Sequence, residues 1–143
     1  MNTRNKGAGY GLKLAVALVA AATLGGCVVE REPEIDPDIA PASLAERACP
    51  PDSFVTWEDF GAPFMYTYCN GCHSSALPQG ERQDAPLGVD FDTIEDVRYW
   101  ADRIWARSAD HNVTMPPVGG PEYDERDLLG EWLACGALSR DDM

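Results

Sequence analysis

Cys69-Asn70-Gly71-Cys72-His73 is the stretch of this chain best equipped for chemistry. Two thiols three residues apart, with an imidazole beside them, can clasp a metal ion, exchange a disulfide or fasten a prosthetic group. Thiol exchange asks for a preceding strand in an α/β domain. A closed zinc site asks for four ligands, yet adjacent Cys72 and His73 do not easily reach one tetrahedral ion. The fourth would have to come from Cys49, Cys135 or His111. A plain Cys69–Cys72 disulfide would close a very tight loop for little gain.

The remaining option accounts for the whole pentapeptide, because C-x-x-C-H is the attachment signature of c-type haem. Cysteines at this spacing near a helix turn meet the two vinyl groups of a porphyrin as thioethers, and the adjacent imidazole reaches the iron from the same side. A six-coordinate iron then needs a second axial ligand. Met115 is the candidate, in Asn112-Val113-Thr114-Met115-Pro116-Pro117, where two prolines stiffen the strap. A thioether is soft and favours ferrous iron, raising the reduction potential. His111, the only other histidine, is the rival and would give a lower potential.

These residues need elements to position them. A first helix is expected over Trp57 to Cys69, capped by Thr56 with Asp59 three residues later. Phe60, Phe64 and Tyr68 recur on one face, and Pro63 either kinks the helix or delays its regular part to Ala62. Ser74 to Asp90, with Pro78, Gly80, Pro86 and Gly88, is expected to be loop. Thr93 can cap a second helix whose stripe is Ile94, Val97, Ala101, Ile104 and Trp105. A third is expected from Asp124 to Cys135, with Leu128, Leu129, Trp132 and Leu133 as its apolar face and Gly136 as its stop. No stretch alternates like a strand, so the domain is expected to be all-α.

Before this domain the chain changes character. Residues 1–26 have a basic start and an apolar run from Leu14 to Leu24, too short to span a bilayer and fitting a secretory signal peptide. Leu24-Gly25-Gly26-Cys27 resembles the lipobox of bacterial lipoproteins, which implies cleavage before Cys27 and lipidation of its thiol. Val28 follows, with no aspartate to favour retention at the inner membrane, so the expected site is the outer membrane, facing the periplasm. Residues 27–43 contain the acidic, proline-broken Glu30 to Ala42 and form the expected tether, with the folded domain at 44–143. The chain has 11 Lys and Arg against 24 Asp and Glu, and three of those bases (Arg4, Lys6, Lys13) precede Cys27. Removing the leader leaves eight bases facing 24 acids, a formal charge of −16. Such a surface repels nucleic-acid phosphates and suits a basic protein partner.

Taken in order, Phe60-Gly61-Ala62-Pro63-Phe64-Met65-Tyr66-Thr67-Tyr68-Cys69-Asn70-Gly71-Cys72-His73-Ser74, then Met115-Pro116-Pro117, then Leu128-Leu129-Gly130-Glu131-Trp132-Leu133-Ala134-Cys135-Gly136-Ala137, resemble a single-haem class I c-type cytochrome. The resemblance covers roughly Trp57 to Ala137. It implies a cytochrome c-like fold in which the N- and C-terminal helices cross beside one covalently attached haem c, with Phe60 or Phe64 against Trp132. It implies a non-enzymatic electron carrier with His73 and Met115 on the iron. A dedicated subunit of a larger oxidoreductase is the alternative, and a small haem enzyme with a displaceable methionine is a more distant one. Cys49 and Cys135 are not needed for haem and are candidates for a disulfide in an oxidising compartment, the alternative being two buried thiols. Arg82, Arg98, Arg103 and Arg107, together with several aromatic residues, compete for the haem propionates.

Overall fold

The computed structural model describes residues 40–143. The expected signal peptide, Cys27 and nearly all of the tether lie outside the described residues. Those described are all-α: three helices and short 3-10 turns, with no strand among them. None of these helices is long and apolar enough to cross a membrane.

Helix α1 occupies residues 57–69, and its winding shows what Pro63 does. The chain runs as a π-helix over Trp57–Gly61, as one α-turn over Ala62–Phe64, and as a π-helix again over Met65–Cys69. Proline brings no N–H and crowds the carbonyl one turn back. The preceding turn therefore widens, and bonds span five residues: Gly61 N–H to Thr56 O at 3.1 Å, and Ala62 N–H to Trp57 O. Thr56 caps the helix by accepting from Asp59 N–H at 3.3 Å and donating to the Asp59 carboxylate at 2.8 Å.

Helix α2, Ile94–Ser108, begins in a capping box between Thr93 and Asp96. Val97, Ile104 and Trp105 are buried, as the apolar stripe requires. Helix α3, Tyr123–Ala134, ends in a Schellman turn: Gly136 N–H bonds Leu133 O, Ala137 N–H bonds Trp132 O, and Gly136 takes φ +85°. One expected member of its apolar face is displaced, since Leu128 is 36 % exposed. The buried face instead runs through Arg126, Leu129, Trp132 and Leu133, because Arg126 turns inward.

Helices α1 and α3 meet at aromatic rings. Trp132 is fully buried, with Trp57 stacked at 6.1 Å and Phe60 edge-on at 6.2 Å between centroids. Of the two phenylalanines expected at this contact, Phe60 makes it, while Phe64 lies tilted against Phe60 at 5.3 Å. Gly61 lets the rings approach: a Cβ there would sit 2.5 Å from Trp132 Cη2 and Cζ2. A Cys49–Cys135 disulfide, with Cα atoms 4.8 Å apart, joins the lead-in of α1 to the end of α3. The tail returns to α1, where Trp57 N–H bonds Leu138 O at 2.7 Å and Arg140 pairs with Asp59.

Candidate functional site

Helix α1 delivers Cys69 at its last turn, and the chain then curls on itself. Cys72 N–H and His73 N–H both bond Cys69 O, at 3.1 and 2.9 Å. That turn brings both thiols and the imidazole to the wall of one cavity of about 390 Å³. Met115, Pro116 and Pro117 border the same cavity. Its walls are mainly apolar, with Phe91, Val89, Ile104 and Trp100 among them, and Arg103 and Arg107 add cationic groups. His111, by contrast, is exposed and outside this wall.

His73 is held on three sides. Its Nδ1 lies 2.8 Å from Val89 O, its ring stacks on Phe91 at 4.7 Å, and its own carbonyl accepts from Phe91 N–H at 2.9 Å. A carbonyl can only accept, so Nδ1 carries the proton and Nε2 keeps the lone pair that a metal would use. Val89 O has a second donor, Arg82 Nη2 at 3.0 Å. Arg82 is completely buried and also donates to the carbonyls of Ser74, Ala85 and Pro86, and to the Asp90 carboxylate at 2.6 Å. A buried guanidinium is tolerated when its hydrogens are all engaged and an anion balances it. Here it ties loop 74–90 into a rigid backing for the imidazole.

Cys69 and Cys72 are free thiols. Burial, helped by the neighbouring Cys72, pushes the Cys69 thiol up to about 12. Dithiol exchange needs the opposite, a thiol whose pKa is lowered toward neutral. A closed zinc cage also lacks its ligands: among the described residues no group of three or more His, Cys, Asp or Glu could hold a metal. Cys49 and Cys135, the other cysteines among the described residues, are consumed in their disulfide. A haem differs because its porphyrin supplies four ligands and the protein need supply only two.

Met115 sits on a strap fixed at both of its peptide groups. Its N–H bonds Arg107 O at the end of α2, at 2.9 Å. Its carbonyl accepts from Arg126 Nη1 on α3, at 3.0 Å. The Met115–Pro116 peptide is cis. Beside the strap, Asp110 is 9 % exposed and takes the Trp105 indole N–H at 2.7 Å. Burial raises its carboxyl above the usual range despite that bond and Arg47 at 3.3 Å.

The four arginines considered for an acidic ligand edge separate by position. Arg82 is saturated by its loop, and Arg98 reaches Ala137 O and Asp142. Arg103, with its guanidinium 5.5 Å from the centre of the Trp100 ring, and Arg107 border the cavity. Tyr68 also borders it, but spends its hydroxyl on the Glu125 carboxylate at 2.9–3.0 Å. Arg126 and the Val89 carbonyl went unmarked in the sequence. An arginine sequence letter does not say that it is buried, and a backbone acceptor has no sequence letter of its own. No protein-family model, no curated protein and no solved structure matches the chain.

Proposed function

We propose that this protein is a single-haem c-type cytochrome that passes single electrons between redox partners, held to the periplasmic face of a bacterial envelope membrane by a lipid on Cys27. One observation carries the reading: two thiols, an imidazole and a thioether, from segments more than forty residues apart in sequence, border a single largely apolar cavity. The donor set and walls fit haem c. Cys69 and Cys72 would hold the macrocycle as thioethers, His73 Nε2 and Met115 Sδ would take the iron, and Arg103 and Arg107 match the two propionates in charge. When bound, the haem supplies one-electron chemistry at a buried iron.

The chain's own contributions follow from the geometry. Val89 O and Phe91 fix the tautomer and plane of His73, which makes it a stronger donor. Phe91, Ile104 and Trp100 supply a low-dielectric wall that excludes water. The α1–α3 contact through Trp57, Phe60 and Trp132 supports this reading, since the resemblance to class I cytochromes implies that the first and last helices cross. If His73 and Met115 both held the iron, no open site would remain for substrate, and an acidic surface would meet a basic donor or acceptor.

The decisive experiment is to denature the exported protein in acidified organic solvent and weigh the polypeptide. A mass increased by one haem, mapped to the Cys69–Cys72 peptide, is expected; an unmodified peptide with the pigment washed away would refute the proposal. Met115→Ala should abolish the methionine-to-iron absorption band and lower the potential. An unchanged spectrum would assign the sixth position elsewhere.

A further inference from the structure

Arg126 lies in the first turns of α3, is 4 % exposed, and forms no ion pair among the described residues. Every side-chain hydrogen bond it makes goes to a backbone carbonyl. Nη1 donates to Ser108 O at 2.8 Å, Asn112 O at 3.0 Å and Met115 O at 3.0 Å, and Nε donates to Pro121 O at 3.2 Å. These four acceptors span the segment from the end of α2 to the start of α3, with Met115 in its middle. The backbone adds a fifth link, Asp110 N–H to Arg126 O at 2.9 Å.

Burying a cation without a counter-ion is expensive, and an apolar residue of similar volume would serve packing alone at least as well. The loop also runs close to this group: a Cβ on Gly120 would lie 2.6 Å from Arg126 Nη2, while the bonds from Nε and Nη1 hold the guanidinium in that place. Arg82, the other buried guanidinium, keeps Asp90 as its anion and backs His73. Arg126 has only carbonyl dipoles, and one of them belongs to Met115.

We propose that Arg126 is the positioning residue for the sixth ligand: by gathering the carbonyls of 108–121 it holds the strap in the one conformation that keeps the Met115 thioether at the cavity. This rests on the reading of Met115 as iron ligand. Without the guanidinium, Met115 keeps its N–H bond to Arg107 O but loses the bond on its other side, so the thioether should leave the iron for a substantial part of the time.

The test uses the holoprotein. Arg126→Leu should weaken the methionine-to-iron band, lower the reduction potential, and speed carbon monoxide binding to the reduced protein by roughly tenfold or more, since charged hydrogen bonds are lost. Arg126→Lys keeps the charge but ends about one bond short of Nη1, and should fall between Leu and wild type on all three readouts. If the Leu variant does not fold, the Lys variant alone decides. Arg98→Leu is the control for general destabilisation: its arginine bonds Ala137 O and Asp142, away from the strap, and it should lose stability with band and carbon monoxide rate unchanged. A folded Arg126 variant with wild-type band, potential and carbon monoxide rate would overturn the inference. So would an Arg98→Leu variant that changes the band as much as Arg126→Leu does. If the wild type has no such band and Met115→Ala changes nothing, the ligand assignment itself has failed, which is a different result.

Discussion

Gly61→Ala sets two known effects against each other. Gly61 is inside α1, and replacing a helix-interior glycine with alanine ordinarily stabilises by about 0.5–1 kcal/mol. The new methyl would, however, meet two atoms of the Trp132 ring at 2.5 Å and Trp57 Cε3 at 3.0 Å. Trp132 is 0 % exposed and its Nε1 is bonded to Leu138 O at 3.0 Å, so it has nowhere to retreat. Overpacking of this kind costs about 1–3 kcal/mol, and two contacts against an immobile ring, with a third against Trp57, argue for the upper end. The net expectation is a loss of about 2 kcal/mol, or roughly 8–16 °C in Tm for a domain of this size. Thermal and urea unfolding of the oxidised holoprotein would read it. Combining the change with Trp132→Phe sharpens the test, because phenylalanine lacks the two ring atoms that collide. In that background Gly61→Ala should be neutral or stabilising, giving a large favourable coupling. A Gly61→Ala protein as stable as wild type, or a double variant whose costs simply add, would refute this account of the α1–α3 contact.

Replacing Cys49 and Cys135 together with alanine opens a cross-link between residues 86 apart, and loop entropy sets the loss at up to about 4–5 kcal/mol, readable as a shifted urea midpoint. Alkylation of the native holoprotein should leave both cysteines unmodified until reductant is added; modification of both without it would contradict the bridge. Asp142 is held at about 2 by hydrogen bonds from Ser139, backbone and side chain, and then by Arg98. Its folded pKa lies below the ordinary value of 3.8, so the stability it contributes is complete above about pH 4 and lost as pH falls toward 2. Asp142→Asn should flatten that part of the stability–pH curve. An unaltered slope in this variant would disprove the link.

The parts of the molecule legible in the sequence are those with local causes. Thr93 followed by Asp96 announces a capped helix, and Val97, Ile104 and Trp105 behind it repeat at the period that buries one face. Gly136 marks the end of α3 because the position needs a positive φ. Cys69, Cys72 and His73 are contiguous, and Met115 is advertised by the two prolines after it, so the lining of the cavity could be anticipated. What could not be anticipated depends on distant partners. Leu128 yields its place to Arg126 only because four backbone carbonyls wait for a guanidinium there. The widening of α1 on either side of Pro63 turns on which carbonyls bond which N–H groups around the proline, which hydrophobic periodicity alone does not encode. Likewise, choosing Arg103 and Arg107 over Arg82 and Arg98 as cavity residues requires knowing where loop 74–90 and the tail fold back.

The Cys49–Cys135 bond encloses α1, both cysteine thiols of the pentapeptide, the imidazole and the methionine strap within one covalent ring. A single proteolytic nick in the exposed Val113–Val118 stretch would therefore not divide the molecule. The two pieces would travel as one band on a gel without reductant and separate only when thiols are added.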